Sequence, residues 1–339
     1  MKISSNFKEL DKGLLTRDYD QSKRRLILLD YEGTLPSATQ SLMEYQSKGV
    51  PPTQKILNTL DYLTKDKRNT IFIITGREAK LVSEWFSCII KLTLGIPELG
   101  LASEHGFLYR YSSNAKAKDK WEKMLKGFNG EWRSYCVEQL EPYTERCEGS
   151  FIEVKEASVV WQYRDCDPEL GKSFAQVITD DFENSFKNLK LQVINGKGYV
   201  EVKPEGINKG AFASFIFKRE ILRKRTPDFI LAIGDDTADE EMFKYFVKKK
   251  NEIQHFSKHA KIYTVTVGKK PSSAACYVDS TSDVRTILDA FMQISNRKTI
   301  SSSTTDLKSL NVFNESSTTM SNHPLIDEVL SDKEANDKY

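Results

Sequence analysis

Short, wholly apolar runs recur along the chain, and each stops at a polar or glycine-containing turn. Leu26-Ile27-Leu28-Leu29 follows Lys23-Arg24-Arg25 and ends at Asp30, after which Gly33-Thr34 turn the chain. Thr70-Ile71-Phe72-Ile73-Ile74 ends in Thr75-Gly76-Arg77, and Gly100-Leu101-Ala102-Ser103 ends in Glu104-His105-Gly106. Phe229-Ile230-Leu231-Ala232-Ile233 ends in Gly234-Asp235-Asp236, and Tyr263-Thr264-Val265-Thr266-Val267-Gly268 follows. Runs this short and this apolar suit strands buried on both faces. Helical patterns over 52–64, 79–86 and 209–225 lie between them. The alternation predicts an α/β fold with a doubly wound parallel sheet, whose ligands gather beyond the carboxyl ends of the strands.

The middle of the chain has a different pattern. Residues 120–140 are amphipathic with a helical period, and 169–188 are helical again. Ser150-Phe151-Ile152-Glu153-Val154 and Val159-Val160-Trp161-Gln162-Tyr163-Arg164 are half-exposed strands. Leu191-Gln192-Val193-Ile194 and Tyr199-Val200-Glu201-Val202 form a hairpin expected to turn at Asn195-Gly196. This is the signature of a small α/β domain inserted into the sheet domain. Beyond residue 297 the chain is polar and Ser/Thr-rich, which predicts a disordered tail over 297–339. The expected division is a lead over 1–22, a core over 23–108 and 203–296, and an inserted cap domain over 109–202.

Composition narrows the class. With 39% hydrophobic and 29% charged residues the chain reads as a soluble globular protein. A formal net charge of +2 gives no field to draw it to nucleic acid or an anionic membrane, so neither is an expected partner. No run approaches the ~18 apolar residues of a spanning helix, and the opening residues carry no apolar stretch of a signal peptide. The 5 cysteines are odd in number and form no CxxC pair, which predicts free thiols and a cytoplasmic location.

The candidate chemistry lies at the strand ends. A carboxylate at the end of a buried strand, as at Asp30, is placed as a cation ligand or a nucleophile. Thr75 offers a hydroxyl for a phosphoryl oxygen. Lys209, in Asn208-Lys209-Gly210, brings a cation to the start of a helix, and Gly234-Asp235-Asp236 offers the oxygen ligands that magnesium prefers. Together they point to metal-assisted phosphoryl transfer. The basic stretches 218–225 and 248–250 read as solvated helix faces, His105 as a structural or orienting residue, and His255, His259 and His323 have no metal spacing.

These motifs, in this order on apolar strands, resemble the haloacid dehalogenase (HAD) superfamily. Ile73-Ile74-Thr75-Gly76-Arg77, the run from Leu99 to Gly106, Gly149-Ser150-Phe151-Ile152-Glu153 and Trp161-Gln162-Tyr163-Arg164 resemble its trehalose-6-phosphate phosphatase branch. Pro168-Glu169-Leu170-Gly171 adds to this, and the resemblance runs from about Arg25 to Gln293. It implies hydrolysis of trehalose 6-phosphate to trehalose and phosphate, a step of trehalose biosynthesis. Asp30 would attack phosphorus to form an aspartyl-phosphate, and residue 32 would be the general acid and base. Magnesium would be held by Asp30, the backbone carbonyl of Glu32 and Asp235, with Asp239 ordering the metal's surroundings. Thr75 and Lys209 would hold the phosphoryl group. Glu153, Lys155, Arg164, Lys197 and Glu201 of the cap would grip the disaccharide.

The chain departs from that pattern at Glu32, where the family has aspartate. Glutamate keeps the charge but moves the carboxylate by about one bond length, and a misplacement near ~1 Å can cost ~10²-fold in rate. Ala238 replaces a usual threonine and Lys203 a usual arginine. These departures predict a weakened phosphatase. They also resemble the terminal phosphatase-like domain of regulatory subunits in fungal trehalose synthase complexes. That resemblance implies an alternative role in regulation or scaffolding, with other subunits of such a complex as partners.

Overall fold

The computed structural model describes residues 7–36, 49–87, 96, 98–111, 120–125 and 130–297. The tail expected to be disordered lies outside the described residues, apart from Arg297, which lies in a helix described over 281–297. The strands are β1 (Lys8–Glu9), β2 (Arg25–Asp30), β3 (Asn69–Ile74), β4 (Gly100–Ser103), β5 (Leu108–Arg110) and β6 (Glu122–Lys123), then β7 (Phe151–Val154), β8 (Val159–Gln162), β9 (Leu191–Gly196) and β10 (Tyr199–Pro204), and finally β11 (Phe229–Gly234), β12 (Lys261–Val267) and β13 (Cys276–Val278).

Among the described residues, one sheet has the order β1-β13-β12-β11-β2-β3-β4-β5-β6. Its ladders are parallel from β1 through to β4, and β5 and β6 close that edge antiparallel. The chain leaves β2 toward β3 and β4 and returns on its other side as β11 and β12, so β2 marks the point where strand order reverses. Every residue of β2 and β11 is buried. Ile27, Leu29, Ile71, Ile73, Leu231 and Ile233 point to one helix layer, where they meet Leu57, Leu60, Leu288 and Phe291. Leu26, Leu28, Phe72, Ile74 and Ile230 point to the other, against Phe212, Ile216, Phe243 and Phe246. Burial of each such side chain is worth ~1.5–3 kcal/mol, and the central strands collect it on both faces. The α/β doubly wound parallel sheet is as expected.

The second sheet, β7-β8-β10-β9, is antiparallel. Val159, Trp161, Val200 and Val202 point into a core shared with Leu140 of the helix Trp132–Arg146 and with Ile178 and Phe182 of the helix Pro168–Ser185. Strand alternation puts Glu153, Gln162, Tyr199 and Glu201 on the opposite, helix-free face.

Several local expectations give way to tertiary contacts. The helical pattern over 120–140 does not become one helix. Glu122–Lys123 instead extend the large sheet, with Tyr109 donating to Glu122 at 2.7 Å, and the helix starts only at Trp132. The large sheet therefore reaches past residue 108, and the second sheet runs on to Pro204. The hairpin turns at Lys197-Gly198, not at Asn195-Gly196, because Gly196 pairs with Tyr199 and Gly198 takes the left-handed φ of 86°. The polar lead joins the large sheet: Lys8–Glu9 pair with β13, and Tyr19 of the helix Lys12–Gln21 stacks on Phe291 at 3.8 Å.

Candidate active site

Parallel register brings the ends of β2, β3 and β11 side by side. Asp30 opposes Ile74, and Leu29 opposes both Ile73 and Ile233, so Asp30, Thr75 and the Gly234-Asp235 turn emerge together. Lys209 reaches the same point from the first position of the helix Lys209–Leu222, which Asn208 caps by accepting the Ala211 N–H at 2.9 Å. Packing of Phe212 and Ile216 under the sheet aims that helix start at the strand ends.

Lys209 Nζ donates to Asp30 Oδ1 at 2.6 Å and to Asp239 Oδ1 at 2.8 Å, with all the side chains buried. The other Asp30 oxygen accepts from Thr34 Oγ1 at 3.0 Å. The other Asp239 oxygen accepts the N–H groups of Asp235 and Asp236 at 3.0 and 3.1 Å, which braces the turn that presents Asp235. Burial works against the Lys209 charge, but Asp30 and Asp239 outweigh it and hold the ammonium well above the ordinary lysine value. Burial pushes the Asp30 carboxyl up to about 7, with Lys209 offsetting part of the rise and Asp236 and Asp235 adding to it. Burial and the neighbouring carboxylates likewise raise Asp235 to about 6 and Asp239 to about 8.

The cluster is thus short of positive charge. Ligand oxygens of Asp30, Asp235 and Asp239 lie within 4.8 Å of one another. They are hard donors, and an ion of double positive charge meets the deficit. The chain keeps the space open: Gly33 has φ of 73°, and a Cβ there would fall 2.3 Å from Asp235 Oδ2. The residues therefore fit a hard divalent cation.

Glu32 points to the rim. Its carboxylate pairs with Arg77 Nε and lies 3.5 Å from Thr75 Oγ1, whose oxygen accepts the Arg77 N–H at 3.1 Å. Arg77 stands in the Thr75-Gly76-Arg77 run, so its place in the chain was visible, but nothing local marks it as the partner of residue 32. Lys270 is a second group with no sequence signal; its ammonium donates to the Asp235 carbonyl. His105 is buried beside the cluster: burial, then the charges of Lys209 and Lys203, push its imidazole down to about 3.

The residues assigned to sugar binding fall around the helix-free face of the second sheet. Glu153 and Glu201 both oppose Val160, from either side. Glu153 pairs with Lys155 at 3.3 Å and accepts from Gln162 at 3.2 Å, and Glu201 pairs with Lys203 at 3.4 Å. Lys197 occupies the hairpin turn with Gly198, and Arg164 packs against that glycine. The β7–β8 turn meets the end of β4, since the Ala157 N–H donates to the Glu104 carboxylate at 2.6 Å. A cleft of about 620 Å³ is walled by Glu78, Glu104, Arg133, Val137 and Lys155; it takes in Lys155 but not Asp30, Thr75, Lys209 or Asp235.

Known proteins resemble this chain in sequence and fold. A family model described as Trehalose-phosphatase matches residues 28–282. The chain is 35% identical over 299 residues to an Arabidopsis thaliana protein named "Probable alpha,alpha-trehalose-phosphate synthase [UDP-forming] 7", covering 88% of this chain and 33% of that protein. It is 32% identical over 248 residues to a Zygosaccharomyces rouxii trehalose-phosphatase, covering 69% of this chain and 26% of that one. The chain thus spans about a third or less of the length of these curated relatives. The solved structure of Aspergillus fumigatus trehalose-6-phosphate phosphatase superposes with a TM-score of 0.64 at 30% identity, over 85% of this chain and 99% of that one. No helix among the described residues is long and apolar enough to cross a membrane. With its strand-end carboxylates, its buried lysine and a match across most of its length, the chain belongs to the trehalose-phosphatase family.

Proposed function

We propose that this chain hydrolyses trehalose 6-phosphate to trehalose and phosphate through an aspartyl-phosphate on Asp30, slowly because glutamate stands at position 32, and that it acts in the cytoplasm. One observation carries the reading: a buried nucleophilic carboxylate lies 2.6 Å from a buried lysine and beside Asp235, at the reversal point of the sheet. Bound magnesium, held by Asp30, Asp235 and the backbone carbonyl of Glu32 and ordered by Asp239, would supply charge to the phosphoryl oxygens. Lys209 favours the ionised form of Asp30 and offsets its repulsion from an incoming phosphate. The Thr75 hydroxyl holds a phosphoryl oxygen. Glu153, Lys155, Arg164, Lys197 and Glu201 bind sugar hydroxyls, to which carboxylates and cations make several directional bonds, and their sheet closes the site to water.

Asp30 forms its bond to phosphorus as the bond from phosphorus to the sugar oxygen breaks. Glu32 gives that oxygen a proton, then takes one from the water that cleaves the aspartyl-phosphate. Its extra methylene and its pairing with Arg77 both work against this role. The same pairing favours a second reading, a regulatory or scaffold part of a trehalose synthase complex that binds trehalose 6-phosphate without turnover. Phosphate release from trehalose 6-phosphate with magnesium separates the two. Slow release that disappears in Asp30→Asn supports catalysis. No release from the native chain, with release gained in Glu32→Asp, supports the second reading. Release that survives Asp30→Asn contradicts the mechanism.

A further inference from the structure

The turn after β4 is built against the preference of its residues. Glu104 and His105 have φ of 48° and 56°, in the left-handed region that side chains other than glycine rarely adopt. Such a conformation persists where its surroundings over-determine it. Here the Glu104 N–H donates to the Arg77 carbonyl at 3.1 Å and the His105 N–H to the Thr75 carbonyl at 2.9 Å. The turn is therefore fastened to the loop that carries the Thr75 hydroxyl.

The side chain of Glu104 leaves in the other direction. It is 4% exposed, and its carboxylate accepts the backbone N–H of Ala157 at 2.6 Å. Ala157 stands in the turn between β7 and β8, which the Lys155 N–H closes on the Ser158 carbonyl at 2.8 Å. Arg133 donates to the Lys155 carbonyl at 3.2 Å from the helix side. Ala157 is buried with Phe107, Leu108 and Ile207. The same turn carries Lys155, and β7 carries its partner Glu153.

We propose that Glu104 is a positioning residue: by holding Ala157, it fixes Lys155 and Glu153 relative to the Thr75 loop, so that the sugar is presented in register with the phosphoryl site. A charged acceptor on a buried amide is a strong tie, and losing it leaves the donor unpaired. This rests on the trehalose 6-phosphate reading of the site and names the residue through which its sugar and phosphate halves are coupled.

Two variants test it in the full chain. Glu104→Gly suits the left-handed backbone and removes the side chain with its carboxylate, while Glu104→Gln keeps the side chain and an acceptor oxygen. Hydrogen exchange at the Ala157 amide, read without substrate, quickens roughly tenfold or more in Glu104→Gly and stays within about threefold of the native rate in Glu104→Gln. Calorimetry in an Asp30→Asn background then compares trehalose 6-phosphate with inorganic phosphate. In Glu104→Gly the sugar phosphate weakens roughly tenfold, while inorganic phosphate, which has no sugar to place, shifts less than about threefold. Unaltered exchange at Ala157 overturns the tie, and equal weakening of both ligands overturns the positioning role. If the Asp30→Asn chain binds inorganic phosphate but not trehalose 6-phosphate, the substrate reading fails by itself, because the exchange measurement is made without that ligand.

Discussion

Glu32 and Arg77 are joined side chain to side chain across the ends of β2 and β3, at the mouth of the Asp30 cluster. Each is about a quarter exposed, at 23% and 24% of its side-chain surface. The pair holds the carboxylate beside Thr75 while Arg77 also fixes the Thr75 loop through its own N–H. Aspartate at position 32 is one methylene too short to keep the same contact without movement. A double-mutant cycle on Glu32→Gln and Arg77→Gln, read by urea denaturation, is expected to give a coupling of about 1 kcal/mol or less, as for a partly exposed pair. A coupling several times larger would mean that the pair is a structural element of the loop.

Lys209 is a buried cation shared by Asp30 and Asp239. Lys209→Met leaves both carboxylates buried without their partner. Stability without added metal is expected to fall by ~3–5 kcal/mol, and trehalose 6-phosphate turnover to be lost. Near-native stability in urea at neutral pH would show that the carboxylates find another counter-charge.

Gly33→Ala places a methyl group where Asp235 lies, 2.3 Å from its Oδ2, on a backbone with φ of 73°. The strain is expected to cost ~1–2 kcal/mol, and the displaced Asp235 weakens cation binding. Magnesium raises the melting temperature of the native chain by mass action, and Gly33→Ala should abolish that rise. A magnesium response equal to the native one contradicts the assignment of Asp235 as a ligand.

Asp66 ties the start of β2 to the approach to β3 and to the helix over 281–297, since it pairs with Arg25 at 3.0 Å and Arg68 at 2.6 Å and accepts from Ser295 at 3.1 Å. Burial pushes its carboxyl up, but the hydrogen bonds and charge of Arg68, with Arg25, outweigh this and hold it at about 2. A folded value below the ordinary one stabilises the fold above the ordinary carboxylate range. That contribution is lost as pH falls from about 4 toward about 2. Its size is on the order of 2 kcal/mol. Denaturation followed from pH 6 to pH 2 should therefore show a steeper acid loss in the native chain than in Asp66→Asn. Parallel curves would contradict this.

Much of the core was legible in the chain, for local reasons. Leu26 to Leu29 and Phe229 to Ile233 are apolar without alternation, and only a strand covered on both faces accepts such a run. Their polar ends named Asp30 and Asp235 before any geometry was known. The failures were equally physical. The 120–140 stretch has a helical period, yet pairing of Glu122–Lys123 with β5 takes part of it into the sheet. Asn195-Gly196 is a favourable turn, yet the register of Gly196 with Tyr199 moves the turn to Lys197-Gly198.

By itself, the sequence determined the buried strands, the polar residues at their ends and the family, because these depend on neighbours in the chain. Only the tertiary structure decided which groups meet. Lys209 and Asp30 are 179 positions apart, and parallel register across several crossovers brings them within 2.6 Å. Glu32 with Arg77, Lys270 with Asp235, and Glu104 with Ala157 are settled in the same way. Contacts of this kind follow from how sheets and helices pack, and no local run of residues encodes that.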